Sequence, residues 1–216
     1  MGCSPAPEDL KSGELGNGTF EYLCKGTTDA QCDEGEQVSQ AAFDAIARAG
    51  HFGLSFLDDN GNASSDQIEA AGDGRITYDD QTKLWTAEKT GLVALIAFDQ
   101  NGDAEDFVHA TVVEPSSVLI SQKDISGHFT GSFGGTTIDV TVQSDFTLRA
   151  APADEQQNVL AGALPCSWTN ANPTVVQITT DATDNVVDVH PVGTGSATLH
   201  VQIGSVNGQT TITVGG

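Results

Sequence analysis

The chain has 216 residues, enough for two domains of about 100 residues each, and 38% of them are hydrophobic, enough for packed cores. Acidic residues outnumber basic ones 30 to 8, so the net charge at pH 7 is −22. That charge repels phosphate backbones and anionic lipids, which argues against nucleic-acid binding and disfavours docking on anionic membranes. No apolar run approaches the ~20 residues that a membrane-spanning helix requires.

The acidity is unevenly distributed along the chain. Residues 1–115 contain 22 acidic and 6 basic residues, a net charge of −16, whereas residues 116–216 contain 8 and 2, a net charge of −6. Such a surface favours cations, basic partners or simple solubility. We interpret most of it as a solvated, self-repelling surface.

The first residues, Met-Gly-Cys-Ser-Pro-Ala-Pro-Glu-Asp, begin a stretch rich in Pro, Gly, Ser and acids. We predict that residues 1–17 form a flexible tether. Gly2-Cys3 before such a tether resembles the start of a mature bacterial lipoprotein, in which a signal peptide is removed and the cysteine is lipidated. The resemblance implies lipidation of Cys3, and the alternative is an unmodified N-terminal cysteine. Myristoylation is disfavoured because Ala6 stands where that motif requires Ser or Thr.

The chain has three further cysteines. Cys24 and Cys32 flank a short polar loop containing Gly26, and an oxidising compartment would favour a disulfide between them. A structural zinc site would need more thiols or a histidine nearby, and none is close in sequence. Cys166 is left unpaired and is predicted to be a buried free thiol.

Short apolar and β-branched runs separated by Gly, Asn and Asp predict strands in the first half. They are Thr19–Cys24, His51–Leu57, Gln67–Ala71, Arg75–Tyr78, Leu84–Ala87, Leu92–Phe98 and Phe107–Val113. Asn60-Gly61 and Asn101-Gly102 predict tight hairpins, because Gly accepts the positive φ of such turns. Residues 36–49 stay ambiguous: apolar residues at helical spacing favour a short helix ending near Gly50, and an edge strand at Phe43–Arg48 is the alternative.

Pro115 marks the predicted boundary between a domain at 18–115 and a domain at 116–216. Strands are predicted in the second half at Val118–Ser121, Thr137–Val142, Phe146–Ala151, Cys166–Thr169, Val175–Thr179, Val186–Val189, Ala197–Ile203 and Thr210–Val214. Many short strands at regular spacing indicate an all-β fold of two immunoglobulin-like antiparallel β-sandwich domains in tandem.

Three segments of the second half are similar to bacterial immunoglobulin-like domains of the invasin and intimin type. Phe146-Thr-Leu-Arg-Ala-Ala-Pro resembles the second strand of that family. Cys166-Ser-Trp168-Thr-Asn-Ala-Asn-Pro173-Thr-Val-Val176 resembles its Trp-Ser/Thr-x-x-x-Pro-x-Val-Val segment. Gly193-Thr-Gly195-Ser-Ala-Thr-Leu-His-Val201 resembles the signature before its final hairpin. We therefore expect Trp168 to fill the core between the sheets and Ala197 to pack beneath the turn at Gly195.

The first half fits that family less well, since it has a similar last hairpin at 91–107 but no Trp-Pro segment. The resemblance implies a stalk, spacer or adhesion unit on a bacterial surface. We therefore expect an envelope location, either lipid-anchored at the outer surface or secreted, and contact with the membrane only through the lipid. The expected partner is an unidentified protein or glycan at the cell surface. The fold alone hosts unrelated functions.

Motifs for catalysis are missing from the sequence. It has no Gly-x-Ser-x-Gly elbow and no phosphate-binding Gly-x-x-x-x-Gly-Lys-Ser/Thr loop. The five histidines form no His-x-x-x-His pair, and aromatic residues make up only 6% of the chain. We therefore predict a protein that is not an enzyme.

One segment resembles a calcium loop. Asp99-Gln-Asn101-Gly-Asp103 begins like an Asp-x-Asn-x-Asp motif, and oxygen ligands at alternating positions suit Ca²⁺. It departs from the EF-hand because Ala110, not Glu, stands at the twelfth position. A hairpin tip rich in solubilising acids explains the same residues and is the favoured interpretation. Asp99, Asn101 and Asp103 are the candidate metal ligands, no other cofactor is predicted, and the alternative function is a binding protein that holds Ca²⁺ or a glycan in loops at one end of a sandwich.

Overall fold

A computed structural model describes residues 13–24, 28–30, 45–58, 67–126, 129–130, 137–179 and 184–216. The described ranges contain 17 strands and no helix. None of their segments is therefore a helix long and apolar enough to cross a membrane. The strands are β1 (Gly18–Leu23), β2 (Ile46–Ala47), β3 (His51–Asp58), β4 (Ile68–Ala71), β5 (Ile76–Asp79), β6 (Leu84–Ala87), β7 (Gly91–Phe98), β8 (Ala104–Val113), β9 (Ser117–Lys123), β10 (Phe129–Thr130), β11 (Thr137–Thr141), β12 (Phe146–Ala153), β13 (Cys166–Asn170), β14 (Val176–Thr179), β15 (Val186–Pro191), β16 (Gly195–Ile203) and β17 (Val206–Gly215).

The first sandwich is built from two four-stranded sheets, with strand orders β1-β3-β6-β5 and β2-β8-β7-β4. Alternation along β7 and β8 turns every second residue inward, as a period of two requires. The core between the sheets is rich in aromatic residues: Phe20, Phe52 and Phe56 are fully buried, and Trp85 is 4% exposed. The first half lacks a Trp-Pro segment, and these rings fill its core instead.

The second sandwich pairs a five-stranded sheet, β10-β9-β12-β15-β14, with a four-stranded sheet, β11-β17-β16-β13. Trp168 on β13 is 7% exposed and belongs to the core cluster, as predicted. Gly195 has a φ of +131° where β16 begins, and Ala197 is 2% exposed beneath it, so the predicted turn is also confirmed. Cys166 is buried and free, and burial raises the pKa of its thiol to about 12.

The predicted fold class, two antiparallel β-sandwiches in tandem, is confirmed, with an exception at two sheet edges. β2 runs parallel to β8, and β11 runs parallel to β17. In both cases the strand that follows in the chain, β3 or β12, belongs to the opposite sheet. The edge strand is therefore not joined to its neighbour by a hairpin, which would make the pair antiparallel.

Every strand predicted from sequence corresponds to an observed one. The short strand β2 lies within Phe43–Arg48, the strand alternative for the ambiguous segment, and the short strand β10 was missed. The ambiguous segment is extended at Ile46–Ala47 and turns at Arg48 and Ala49. Residues 36–44 and the Asn60-Gly61 hairpin lie outside the described residues. All four sheets take their strands from one side of Pro115, and we keep that residue as the proposed domain boundary.

The two sandwiches are joined by backbone hydrogen bonds as well as by the connecting chain. Residues 160–163 lie beside residues 45–51 of the first sandwich. The Ala47 N–H donates to the Ala161 carbonyl at 2.8 Å, and the Ala161 N–H donates to the Ala45 carbonyl at 2.9 Å. We call residues 45–51 and 160–163 the junction.

The junction continues with a second pair of bonds and a close backbone approach. His51 and Ala163 exchange two hydrogen bonds of 2.9 and 2.7 Å. Between these pairs, Gly162 has a φ of +101°, and a Cβ there would lie 3.0 Å from the Cα of Gly50. Only glycine meets both the conformation and the space at position 162.

Each sandwich also contributes one fully packed alanine to the core of the other. Ala47, from the first half, packs in the second core, and Ala161, from the second half, packs in the first core. Both side chains are at most 2% exposed. The junction is therefore a packed interface and not a free linker.

Candidate ligand-binding cleft

The candidate calcium ligands form the tight turn between β7 and β8. The Asp99 carboxylate accepts the Asn101 N–H at 2.8 Å, the Asp103 N–H at 2.9 Å and the Asn101 side-chain amide at 3.0 Å. Gly102 takes a φ of +85°, which confirms the predicted hairpin. The side chain of Asp99 thus holds the turn in the way that Asx turns do.

These hydrogen bonds also stabilise the charge of Asp99. The N–H of Asp103, and then the side-chain amide of Asn101, hold the pKa of the Asp99 carboxyl below its usual range. Three of the roughly four lone-pair positions of the carboxylate are thereby occupied. Calcium at Asp99, Asn101 and Asp103 stays a prediction, and within the described ranges no group of three or more His, Cys, Asp or Glu side chains could hold a metal ion.

The cysteine predictions fall mainly on residues outside the described part of the chain. Cys3 and Cys32 both lie there, so lipidation and the Cys24–Cys32 disulfide remain predictions. Cys24 is half-buried directly after β1 and packs against the first core.

The turn at 99–103 forms one wall of a cleft of about 510 Å³ at the end of the first sandwich. The cleft opens between β5 and β6 of one sheet and β4 and β7 of the other. Its apolar wall consists of Ile68, Tyr78, Trp85 and Phe98, and its polar rim consists of Gln67, Glu69, Asp99, Gln100, Asn101 and Gly102.

Tyr78 is the most exposed aromatic residue of the cleft. It lies on the edge strand β5, directly opposite Trp85 of β6, and the two ring centroids are 4.9 Å apart with a tilt of 40°. Trp85 is 4% exposed, whereas Tyr78 is 42% exposed. The cleft therefore presents the exposed ring of Tyr78 supported by the buried ring of Trp85.

An open aromatic face beside amides and carboxylates can bind a small polar ligand through stacking and hydrogen bonds. Trp85 lies in the predicted strand Leu84–Ala87, but the sequence pattern did not indicate that Tyr78 would stand beside it at an open edge. The cross-strand pairing that brings them together is a property of register, which isolated strand patterns do not reveal.

Two fully buried carboxylates lie outside the cleft, and the sequence did not indicate their contacts. Asp106 on β8 is fully buried. It accepts four backbone N–H groups at 2.8, 2.8, 3.1 and 2.7 Å, from Leu15, Asn17, Gly18 and Phe107. Charge-assisted bonds of this kind satisfy a buried carboxylate. The end of the predicted tether, residues 13–17, is thus held against β8.

Further contacts reinforce this attachment. A Cβ on Gly13 would lie 2.0 Å from an Asp106 carboxylate oxygen, so the close approach requires glycine. Glu14 accepts the backbone N–H of His109 at 3.0 Å and contacts its ring Nδ1 at 2.6 Å.

The second buried carboxylate, Asp29, lies at the junction. Its side chain is fully buried, accepts the Tyr22 hydroxyl, and accepts the Gly162 N–H at 3.2 Å. Burial, and then the charge of Asp29, raise the pKa of Tyr22. Asp29 therefore links the first sandwich to the glycine at the centre of the junction.

The second sandwich has a polar groove of about 610 Å³ on the outer face of β13, β16 and β17. Two cross-strand rows form its floor: Thr169, His200 and Gln209, and then Ser167, Gln202 and Asn207. Gln157, at a φ of 65°, donates to the Ser117 hydroxyl at 2.9 Å along its side. The residues that line this groove include no carboxylate and no Phe, Tyr or Trp.

No protein-family model and no curated protein matches the sequence significantly. Among solved structures, the S-layer protein SbsC is 12% identical over 91% of this chain, with a TM-score of 0.36, and this chain spans 27% of it. The adhesin InvE of Yersinia pseudotuberculosis is 17% identical over 94% of this chain, with a TM-score of 0.34 and 62% of its own length covered.

A glycosyl hydrolase family 2 member from Bacteroides cellulosilyticus is 9% identical over 91% of this chain, with a TM-score of 0.34 and 29% of its length covered. This chain thus spans less than two thirds of each of the three structures. Likenesses of this size carry no argument about function, and a surface-layer protein, an adhesin and a hydrolase share no single activity.

Proposed function

We propose that the chain is a non-catalytic structural or adhesion module of a bacterial cell surface, held at the envelope by a lipid on Cys3. The observation that carries the proposal is the junction, which fixes the two sandwiches by four backbone hydrogen bonds, at Ala47, Ala161, His51 and Ala163. A spacer has to keep its domains at a set distance from an anchor, and a packed interface does so better than a flexible linker.

The bonds around Asp106 support the same proposal. A lipid at Cys3 would apply any pulling force to the chain that enters at residue 13. That entry point is fastened to β8, a ten-residue strand, through the buried carboxylate of Asp106. Force would thus reach the sheet through several charge-assisted hydrogen bonds before it could peel β1 from its edge.

The charge of the chain fits a position outside the cell. A net charge of −22 keeps the surface solvated and opposes non-specific attachment to anionic lipids. The lipid would then be the only contact with the membrane. The proposed partner is a protein or glycan at the cell surface, recognised by loops or faces remote from the anchor.

Protease treatment of intact cells that naturally make this protein tests the proposal. We expect the chain to be cleaved on intact cells while a cytoplasmic marker survives, and its N-terminal peptide to carry acyl mass. A Cys3→Ser variant should appear in the medium instead of the membrane fraction. Protection in intact cells that is lost only on lysis would contradict a surface location, and an unmodified Cys3 would contradict the lipid anchor alone.

A further inference from the structure

We propose that the cleft between β4, β5, β6 and β7 binds a neutral saccharide, with the ring of Tyr78 as its stacking platform. This inference is independent of the lipid anchor and of the surface location. It rests on the exposure of Tyr78, the polar groups that surround it and the charge of the rim.

The first argument is the position of the Tyr78 ring. Most large apolar side chains of this sandwich are buried, but Tyr78 is 42% exposed although it pairs with the buried Trp85. Because the two rings are tilted by 40° and not parallel, part of the Tyr78 ring stays uncovered. The C–H face of a pyranose is apolar and flat, and such a face stacks on an aromatic ring.

The second argument is the hydrogen-bonding capacity at the rim. Glu69, Gln100 and the Tyr78 hydroxyl line the cleft and make no side-chain hydrogen bond within the described part of the chain. Asn101 donates to Asp99 and retains its carbonyl oxygen. Amides, carboxylates and a phenol arranged around a ring supply the donors and acceptors that sugar hydroxyls need.

The third argument is the rigidity of that rim. Both oxygens of Asp99 are occupied by the turn, which fixes Gln100 and Asn101 at the mouth of the cleft. A polar group that is already held in place loses less entropy when a ligand binds.

Charge selects among saccharides. Glu69 and Asp99 are both acidic, and residues 1–115 carry a net charge of −16. Sialylated, uronic and sulfated sugars would be repelled, so the ligand is neutral. A cationic peptide is the rival occupant. The ammonium group of Lys83 lies 6.0 Å from the centre of the Tyr78 ring, and its positive charge repels a second cation there but not a neutral sugar.

The polar groove of the second sandwich provides an internal comparison. It offers hydroxyls, amides and His200, but no aromatic platform and no carboxylate among its lining residues. Of the two sites, the cleft of the first sandwich has an aromatic ring on which a sugar can stack. We therefore assign the saccharide to that cleft.

The test is calorimetric or NMR titration of the full chain with cellobiose, maltose and diacetylchitobiose. An anionic hyaluronan disaccharide and a tetralysine peptide serve as rivals. At least one neutral sugar should bind with a dissociation constant of about 10 mM or lower. Tyr78→Ala should raise that dissociation constant about tenfold. Tyr78→Phe, which keeps the ring, should stay within about threefold of the native chain. Thr169→Ala in the groove of the second sandwich should leave the affinity unchanged.

Thermal unfolding of each variant establishes that it is folded, and Gln100→Ala at the rim provides a second change that leaves the ring in place. Binding that Tyr78→Ala and Gln100→Ala both weaken supports the proposal. The proposal is overturned if no neutral sugar binds, if Tyr78→Ala binds as tightly as the native chain, or if tetralysine or the hyaluronan disaccharide binds in preference.

Discussion

The two sandwiches share an architecture but differ in what fills and fastens them. The second uses a single tryptophan, Trp168, among aliphatic residues, and its turns match a recognisable sequence signature. The first packs three phenylalanines and Trp85 into its core and holds its entry segment with the buried carboxylate of Asp106. The same two-sheet sandwich is thus specified by a local sequence signature in the second domain and by contacts between residues distant in sequence in the first.

The largest expected effect is in the two cores. Trp168→Ala should destabilise the second sandwich by about 3–5 kcal/mol, and Phe56→Ala should cost the first sandwich a similar amount, since both remove large buried rings. Chemical denaturation monitored separately for each domain measures both. An unchanged second domain in Trp168→Ala would show that the signature residue is not a core residue.

A conservative change sharpens the same comparison. The indole Nε1 of Trp168 is buried and has no hydrogen-bond partner in the described structure. Trp168→Phe keeps an aromatic ring and removes that unpaired N–H, so it should cost no more than about 2 kcal/mol.

The next effect concerns the carboxylate that fastens the first sandwich. Asp106→Asn removes the charge that four backbone N–H groups share and should cost about 2–4 kcal/mol. Hydrogen exchange should rise at Leu15 and Asn17 before the rest of the domain unfolds. Asp103→Asn, an exposed change in the same region, should stay within about 0.5 kcal/mol. If Asp106→Asn and Asp103→Asn destabilise the first sandwich equally, Asp106 does not hold its entry segment.

The junction gives a smaller effect with a matched control. Gly162→Ala places a side chain 3.0 Å from Gly50 at a φ of +101° and should cost about 2 kcal/mol. Gly74→Ala, at a φ of +75° with no atom within 4 Å of its Cβ, carries the backbone strain alone and should cost about 1 kcal/mol. Thermal unfolding compares them, and a Gly162→Ala chain no less stable than Gly74→Ala would mean that the close approach is unimportant.

The smallest effect lies at the turn of the first sandwich. The pKa of Asp99 is lowered in the folded chain, so its contribution to stability is fully present above its usual pKa near 4 and is lost as pH falls through the lowered value. Asp99→Asn should therefore flatten the loss of stability on acidification below that pH. An unchanged acid profile in Asp99→Asn would contradict this role.

The same turn tests the calcium prediction. If Asp99, Asn101 and Asp103 bind Ca²⁺, the melting temperature should rise in calcium more than in magnesium or sodium at matched ionic strength. Asp99→Asn and Asp103→Asn should abolish that rise, whereas Asp79→Asn, at a similar turn after β5, should not. Equal rises in all three salts would leave only a charged hairpin.

Much of the fold could be predicted from local sequence. The predicted strand Ala197–Ile203 lies within β16, and Asn101-Gly102 forms the predicted hairpin, because both signals depend on neighbouring residues. The local pattern could not decide between a helix and the edge strand that contains β2, since the extension of β2 depends on pairing with β8 and with Ala161.

The candidate sites divide in the same way. The turn at Asp99 could be predicted because the candidate calcium ligands lie close together in sequence. The cleft was not, because Tyr78 and Trp85 come together only through the register of β5 and β6. The junction was also missed: residue 29 meets residue 162 across 133 positions, and no local pattern encodes such a contact.

The measurement that tests the central claim most directly is backbone ¹⁵N relaxation of the full chain. If the junction fixes the two sandwiches as proposed, amides of β3 and β7 should fit the same rotational diffusion tensor as amides of β13 and β16, with the tumbling time of a 22.4 kDa body. Two independent tensors, each with the faster tumbling of a body half that mass, would contradict the account of a rigid tandem spacer.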